Sequence, residues 1–401
     1  MSIQRFGLDD LLTCTRASSA LVRNSAGVYS SVGNNVLRRS FEGGSFCLLA
    51  EEARTNSLPR NDMSGAVVGV LSSGGSLPTG WSVPNMPTSA LEVVATGTEN
   101  GLAYIDLRFN GTPTGIPNIN LGPAVDAAVG QTWAGSFFVR RIAGSDTNIG
   151  IYRALLAEFE GSAFKGQTSV NITASITTSA RKTVTHTLTD AASNKARVIL
   201  GFTWVSGAVD TTLRIAAPQL EQGAFATSPI ITTGSAVTRE RDQIKLNDGL
   251  LAQVYGGGPV SVLTEFETEY VAGGSGIQRV WQMDDGTTDD RLWHRVQESN
   301  NSTISVATVG GSTTFSNSSD YTSGAALKVA TRFAADDFAE SRNGGAVATD
   351  TSGAMPTGLV NFGISNQGFN TASGSAPLLR LRKLILYPAA LTNAELEALS
   401  A

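Results

Sequence analysis

Residues 213–242 read LRIAAPQLEQGAFATSPIITTGSAVTRERD, and the architecture of the chain can be worked out from this stretch. It begins as a buried strand, turns at a Pro-Gln-Leu-Glu-Gln-Gly corner, and continues through small and β-branched residues to a charged cluster. None of its side chains has a sequence neighbour suited to acid–base chemistry. We interpret it as a closing strand and corner, which specify packing and the direction in which the chain leaves a domain.

Short strands precede this corner and define a domain over residues 56–242. They run from SALEVVAT (89–96) to TTLRIAAPQL (211–220), and turn residues separate them. This spacing is typical of a jelly-roll sandwich, in which two sheets bury alternate side chains between them. Trp204 is predicted to lie in its core. The segment YRALLAEFEGSAF (152–164) is also compatible with a turn or two of helix.

The charged run AVTRERDQIKLNDG (236–249) marks a domain boundary, because charge rises sharply between two charge-poor regions. Beyond it, strand patterns and turn dipeptides such as Asn343-Gly344 predict a second sandwich over residues 243–401. The chain closes with ALTNAELEALSA (390–401). Thr392 and Glu395 have the spacing of a capping box, which predicts a short C-terminal helix.

Composition supports an all-β fold and narrows the possible partners. The 401 residues exceed one domain of about 100–200 residues. Charged residues make up only 16% and glycines number 43, as expected for short strands and tight turns. Scattered Lys and Arg with a net charge of −5 argue against nucleic acid, and the absence of a long apolar run argues against membrane insertion. No signal peptide is evident, so synthesis in a cytoplasm is expected.

The N-terminal region contains both cysteines and too few strands for a domain of its own. Cys14 and Cys47 cannot form a disulfide framework, and two small buried hydrophobes are favoured over a bridge between them. Residues 1–55 hold two extended runs, AGVYSSVG (26–33) and NVLRRSFEGGSFCLLAEE (35–52). Their apolar content is too small for a core, so the segment is expected to dock on the next domain or on another subunit.

Three blocks in a fixed order carry a family resemblance. They are TCTRASSA (13–20) with LLAEEARTNSL (48–58), then APQLEQGAFATSPIITTGSAVTR (217–239), then ATRFAADDFAESRNGGAVATDTSGAMPTGL (330–359) continuing to LRKLILYPAALTNAELEAL (381–399). Together they resemble tailed-bacteriophage and prophage virion proteins of the tail-fibre or head-fibre kind. The resemblance implies an attachment segment over 1–55, a carbohydrate-binding-module-like jelly roll over 56–242, and a concanavalin A-like or laminin-G-like domain over 243–401.

The resemblance also implies a function. It points to a non-enzymatic adhesin on the virion, assembled in the host cytoplasm, whose partners are other virion proteins and host surface polysaccharide. A homo-oligomer is expected, since several weak sites act together through effective concentration. Two alternatives stay open, a glycan-cleaving depolymerase and a purely structural decoration protein.

Candidate site residues follow from these alternatives. Sandwich modules bind sugars by stacking aromatic rings on pyranose faces, and the candidates are Trp81, Tyr104 and Trp293. Depolymerase chemistry would use Glu265 and Glu269 in the strand EFETE (265–269), which partly matches the Glu-x-Asp-x-Glu strand of laminarinase-type glucanases.

A hairpin and two histidines complete the candidates. DDGTTDDR gathers Asp284, Asp285, Asp289 and Asp290, an arrangement that Ca²⁺ would favour, although no other cofactor is expected. His186 and His294 have no nucleophile elbow near them, so a serine-hydrolase triad is not expected.

Overall fold

The computed structural model describes residues 8–172, 176–247, 249–270, 276–365 and 378–401. The described residues are mostly strand with little helix, which confirms the predicted all-β fold with tandem sandwiches. The chain divides into two compact units. The first sandwich consists of Arg54–Arg239 together with Val28–Ser30, and the second sandwich consists of Ser31–Ala53 and Glu240–Ala401 together with the residues up to Gly27.

The elements follow one another along the chain as strands with three short helices among the described residues. The N-terminal elements are α1 (Leu8–Leu11), β1 (Leu12–Thr15), β2 (Ala20–Arg23), β3 (Tyr29–Val32), β4 (Arg39–Glu42) and β5 (Ser45–Ala50). The middle elements are β6 (Arg54–Asn56), β7 (Gly69–Val70), β8 (Leu91–Glu99), β9 (Leu102–Gly111), β10 (Ile119–Asn120), β11 (Val125–Asp126), β12 (Thr132–Gly144), β13 (Ile149–Glu160), β14 (Ala163–Ile172), β15 (Ala180–Thr187), β16 (Lys195–Trp204), β17 (Val209–Gln222) and β18 (Val237–Arg239). The C-terminal elements are β19 (Gln243–Leu246), α2 (Leu250–Val254), β20 (Val260–Glu269), β21 (Ile277–Asp284), β22 (Arg291–Gln297), β23 (Ser302–Val309), β24 (Ser312–Asp320), β25 (Leu327–Phe333), β26 (Phe338–Arg342), β27 (Ala348–Asp350), β28 (Asn361–Ile364), β29 (Leu378–Tyr387) and α3 (Asn393–Ser400). None of the described helices is long and apolar enough to cross a bilayer.

The first sandwich buries its core between two antiparallel sheets. Within the described residues, one sheet has the order β15-β12-β17-β9-β8-β7, and the other has the order β10-β16-β13-β14 with β11 also on β16. The segment 152–164 is strand β13 and its turn into β14, not helix, because alternate side chains of β13 enter the core. Trp204 is half-buried against this core. The core includes Leu91, Ile105, Phe109, Phe137, Leu156, Val198 and Phe202.

The corner after β17 is held by buried polar side chains. Gln219 and Glu221 are both 0% exposed. Glu221 accepts hydrogen bonds from the backbone N–H of Thr227 at 2.7 Å, the Thr227 hydroxyl at 2.8 Å and the Gln219 amide at 2.8 Å. The backbone N–H of Ile230 donates to Gln219 at 2.8 Å. Buried polar groups cost free energy unless they are paired, so this pairing fixes the path of residues 219–230.

Two asparagines near the start of the first sandwich tie that corner to its first residues. Asn56 accepts from the backbone N–H of Leu220 at 3.1 Å and donates to the carbonyl of Ile230 at 3.0 Å. Asn61 accepts from the backbone N–H of Thr232 at 2.8 Å. Since both asparagines are almost fully buried, the entry and exit of the first sandwich are fixed by the same network.

The second sandwich is built from strands at both ends of the chain. Among the described residues, one sheet has the order β1-β19-β28-β21-β22-β23-β24 and the other has the order β27-β26-β25-β20-β29-β5-β4. Strand β1 pairs with β19, and β5 pairs with β29, so the N-terminal region adds strands to both sheets. The core between the sheets includes Leu48, Val262, Phe266, Trp281, Leu292, Phe333, Phe338 and Leu379.

A buried charge cluster joins these separated segments. Arg16, Arg38, Glu51 and Asp242 are each at most 1% exposed. Asp242 lies 2.7 Å from Arg16 and accepts from the Nε of Arg38 at 3.1 Å, while Arg38 lies 2.6 Å from Glu51. Burial lowers the pKa of Arg38, but Glu51 and Asp242 outweigh it and raise this pKa above its usual value. The N-terminal region is therefore attached to the second sandwich by ion pairs as well as by strand pairing.

The C-terminal helix α3 forms as its sequence predicts. Thr392 caps it, and the Thr392 and Glu395 side chains make both hydrogen bonds of a capping box. Leu396 is 0% exposed, and the half-buried Leu391 packs against the same apolar cluster. The Asn343-Gly344 turn also adopts positive φ at both residues, although five residues rather than two connect β26 to β27.

We expect both cysteines to resist alkylation in the folded protein. Cys14 and Cys47 are free and buried. Burial, with a contribution from Asp242, raises the pKa of Cys14 to about 11, and burial with a contribution from Glu42 raises that of Cys47 to about 12. At pH 8 roughly one thiol in a thousand or fewer is then ionised, against about a quarter for an ordinary cysteine. Mass spectrometry after iodoacetamide treatment should show modification at least about 100-fold slower than in urea, and equal rates would contradict the burial.

Candidate functional site

Trp293 lies on the outer face of the sheet of the second sandwich that contains β22. In this strand, Leu292 and Val296 point into the core, so Trp293 points the other way by strand alternation. It packs with Ile304 and Val306 of β23 and is 4% exposed. This surface, together with the guanidinium groups that surround the indole ring, is called the Trp293 face.

Three guanidinium groups surround the Trp293 ring. The distances from the guanidinium carbon to the ring centroid are 5.4 Å for Arg279, 4.3 Å for Arg291 and 4.4 Å for Arg295. Arg291 and Arg295 stand two residues before and after Trp293 in β22, and Arg279 of β21 is the cross-strand partner of Arg295. Cation–π contact with Trp therefore orients all three groups.

The three arginines repel one another. Burial, and then the charges of Arg291 and Arg295, lowers the pKa of Arg279 to about 10. Burial and the neighbouring Arg291 lower the pKa of Arg295 as well. No ion pair within 4 Å joins a carboxylate of the described residues to any of the three, although Asp284 acts favourably on Arg279 and Arg291, and Asp289 on Arg291, at longer range. The site thus concentrates positive charge that the protein does not neutralise by contact.

Several donors of the Trp293 face have no acceptor. The buried Nε atoms of Arg291 and Arg295 and the indole Nε1 of Trp293 make no hydrogen bond within the described part of the chain. Arg279 is different, since its Nε donates to the Gln282 amide oxygen at 3.1 Å. An unpaired buried donor costs about 1–3 kcal/mol, so an acceptor that reached these atoms would stabilise the face.

The other two aromatic candidates lie in the first sandwich and, like Trp293, present no open ring. Trp81 is 7% exposed and belongs to the apolar core. Tyr104 is half-buried, and the guanidinium of Arg214 covers its ring at 3.6 Å. Arg214 is itself held by Asp106 at 2.8 Å and Glu99 at 2.8 Å. Neither side chain is placed as a sugar-stacking platform.

Two of the four carboxylates of the predicted calcium hairpin accept hydrogen bonds within and beside the turn. Asp284 is 0% exposed and accepts from three donors, the Gln282 amide, the Gly286 N–H and the Asn361 amide. Asp285 accepts from the N–H and hydroxyl of Thr287 at 2.8 and 2.7 Å. These two, with Asp289 and Asp290, do not form a metal-binding group, and the described residues contain no group of three or more His, Cys, Asp or Glu that would.

The EFETE strand carries its glutamates on one face, as predicted. Glu265, Glu267 and Glu269 are half-buried while the residues between them are buried. Glu267 lies 2.5 Å from Arg382 of β29, and Glu269 lies 3.5 Å from Arg380. Cross-strand pairing with arginine stabilises a carboxylate in its charged form and suits a structural role. The depolymerase alternative receives no support from this geometry.

His294 is buried, and the two groups within hydrogen-bond distance of its ring are uncharged. It is 0% exposed and lies 2.8 Å from both the Ser305 and the Thr303 hydroxyls. Burial, with a contribution from Arg342, lowers the pKa of His294 from its usual 6.5 to about 3. The imidazole is therefore neutral in the folded protein and does no acid–base work near pH 7.

We expect this histidine to make the second sandwich less stable in mild acid. Below pH 6.5 the unfolded chain binds a proton at His294 that the folded chain does not bind. The free energy of unfolding should fall by about 1.4 kcal/mol per pH unit through this group as the pH drops toward 3. Urea titrations at pH 6 and pH 5 should show a smaller loss for His294→Gln than for the unmodified protein, while His186→Gln serves as the control. Equal losses would contradict the assignment.

The arginines of the Trp293 face were not predicted from the sequence, although a signal was present. RLWHR (291–295) places Arg291, Trp293 and Arg295 at alternate positions of one strand, hence on one face. Arg279 gave no such signal, because its place opposite Arg295 depends on the register between β21 and β22, including the irregularity after Arg279.

Comparison with known proteins does not place the chain in a family. No protein-family model and no curated protein matches it. Domains LG4–5 of the mouse laminin α1 chain are similar at 9% identity over 67% of this chain and 87% of theirs, with a TM-score of 0.25. The N-terminal CBM22-1-CBM22-2 tandem domain of Xyn10C from Paenibacillus barcinonensis is similar at 9% identity over 83% and 99%, with a TM-score of 0.24. At these TM-scores neither protein assigns a ligand, and the class is defined by the strand pairing of this chain itself: an all-β protein with two sandwiches.

Proposed function

We propose that this protein is a non-enzymatic binding protein for polysaccharides, and that the Trp293 face is its principal contact surface. The observation that carries the proposal is the group of unpaired donors around one aromatic residue on an outer sheet face. Sugar hydroxyls and ring substituents are acceptors, and sheet faces bind extended polymers along their length. Among the described residues, this face holds no nucleophile and no pair of carboxylates positioned for acid–base catalysis.

We further propose that the protein is a bacteriophage virion component, a fibre-like or spike-like adhesin that contacts host surface glycans and other virion proteins. The three blocks that carry the family resemblance support this role, and all three supply buried residues of the fold. Arg16 and Glu51 of the first block lie in the buried charge cluster, and Gln219 and Glu221 of the second hold the corner. Several copies in one particle would turn a shallow site into firm attachment.

An array of bacterial surface polysaccharides tests the function directly. We expect retention of at least one polysaccharide without the appearance of new reducing ends, and Glu265→Gln should bind as the unmodified protein does. Release of reducing ends that Glu265→Gln abolishes would establish the depolymerase instead. Antibody labelling of particles in the electron microscope tests the virion role. Silence on the array together with labelling of positions packed against other virion proteins would favour the decoration protein.

A further inference from the structure

We propose that the Trp293 face is an oxyanion site that selects polysaccharides carrying carboxylate or sulfate groups. This inference rests on the proposed glycan-binding function and names the ligand class of the same surface. The shared chemistry is a planar or tetrahedral group of negatively charged oxygens, which arginine binds with two parallel hydrogen bonds.

The arginines of the Trp293 face lack a contacting counterion among the described residues. Several other buried or half-buried arginines are paired, namely Arg38 with Glu51, Arg214 with Asp106, and Arg382 with Glu267. Arg279 has no such pair, yet it is only 8% exposed. Gathering like charges in a desolvated place is unfavourable in the free protein, and an anion would remove that cost.

The guanidinium groups are held in place by the sheet and by the indole ring. Arg279 and Arg295 stand directly opposite each other on neighbouring strands, a position where like charges destabilise a sheet. Stacking on Trp293 holds the guanidinium planes, and the bond from Arg279 to Gln282 fixes one of them further. The donors are therefore oriented before a ligand arrives, which reduces the entropy lost on binding.

The surroundings of the cluster differ on its two sides. On one side, Asp284 of the acidic hairpin acts on Arg279 and Arg291, and Asp289 acts on Arg291, so the least compensated charge is Arg295. On the other side, β24 presents Ser316 and Ser318, which lie opposite Val306 and Ile304 of β23. A charged substituent at the arginines would leave the adjoining sugars beside these hydroxyls.

The net charge of the chain means that any attraction for anions is local to the Trp293 face. At −5 the protein as a whole repels polyanions, so general electrostatic attraction does not account for binding. Salt should weaken the binding of a charged polysaccharide, because it screens the attraction between the ligand and the partly exposed arginines.

Three polymers with one backbone test the proposal: dextran, carboxymethyl dextran and dextran sulfate. We expect immobilised unmodified protein to bind both charged polymers at least about tenfold more tightly than dextran, and to lose this preference in high salt. The variant Arg291→Gln/Arg295→Gln should lose about tenfold or more on the charged polymers. The control Arg108→Gln/Arg380→Gln removes the same net charge from ion-paired sites and should bind within about twofold of the unmodified protein. Preference for one charged polymer identifies carboxylate or sulfate as the natural group.

Stability gives a readout that a structural role would not produce. Independently of any variant, carboxymethyl dextran should raise the melting temperature of the unmodified protein and dextran should not.

Three results would each overturn the oxyanion site: dextran binds as tightly as the charged dextrans, the control variant loses as much affinity as Arg291→Gln/Arg295→Gln, or single-stranded DNA binds as tightly as the charged dextrans. If the protein binds a polysaccharide on the array but does not bind the charged dextrans, the oxyanion site is wrong and the proposed function stands. If the protein binds neither the polysaccharides of the array nor the charged dextrans, the proposed function is wrong.

Discussion

Replacement of Asp242 by alanine is expected to destabilise the second sandwich by about 3 to 5 kcal/mol. Asp242 contacts two fully buried arginines and accepts from the backbone N–H of Glu51 at 2.9 Å. Without it, Glu51 alone would compensate Arg16 and Arg38, and one positive charge would remain buried without a carboxylate. Such a charge costs more than the lost hydrogen bonds themselves, because it cannot reach water.

Hydrogen exchange measured by mass spectrometry separates this effect from global changes, since it reports the peptides of each sandwich individually. Peptides covering β1, β5 and β19 should lose protection in Asp242→Ala. The control is Glu269→Ala, which removes a half-buried carboxylate 3.5 Å from Arg380 and should cost no more than about 1 kcal/mol. If the two variants exchange alike, the buried charge cluster does not hold the N-terminal strands in place.

Replacement of Glu221 by alanine is expected to cost the first sandwich about 3 kcal/mol or more. The substitution removes the acceptor of three hydrogen bonds, two from Thr227 and one from Gln219, whose amide keeps a longer bond to the Ser228 carbonyl at 3.4 Å. Each buried unpaired donor costs about 1–3 kcal/mol, and partial relaxation of the corner lowers the sum. Glu221→Gln keeps one carbonyl acceptor and should lose less. Two measurements test this expectation: the free energy of unfolding in urea, and the protection of the β17 peptide from hydrogen exchange.

The matched control for this experiment is Glu92→Ala in the same sandwich. The Glu92 carboxylate is 36% exposed and 3.7 Å from Arg108, so its loss should change the free energy of unfolding by less than about 1 kcal/mol. A Glu221→Ala protein as stable as Glu92→Ala would show that the corner is held by its apolar contacts and not by its polar network.

Strands and turns were predictable from sequence because their signals are local. Alternation within EFETE, the capping box at Thr392 and the positive φ of Asn343 and Gly344 each depend on residues a few positions apart. The interpretation of residues 213–242 as a packing corner also agrees with the structure, where Gln219 and Glu221 are fully buried. In these places local propensity and tertiary packing favour the same conformation.

The candidate site was less predictable because burial and register are not local. A tryptophan gives no sign of whether its ring faces solvent, and Trp81 and Trp293 are both buried here. The charged run near residue 240 is typical of a solvated linker, yet Asp242 is 1% exposed because Arg16 and Arg38, more than 200 residues away, surround it. Likewise Arg279 joins Trp293 only through strand pairing.

The pairing of β1 with β19 has a consequence for synthesis on the ribosome. Leu12 emerges early but pairs with Leu246, so β1 lacks its partner β19, and β5 lacks β29, while the whole of Arg54–Arg239 is translated. The first sandwich has all its main strands by then and can fold during translation, whereas the second is completed only when β29 leaves the exit tunnel. A stalled or prematurely terminated chain would therefore display unpaired strand edges at its beginning, which makes early chaperone capture valuable for this protein.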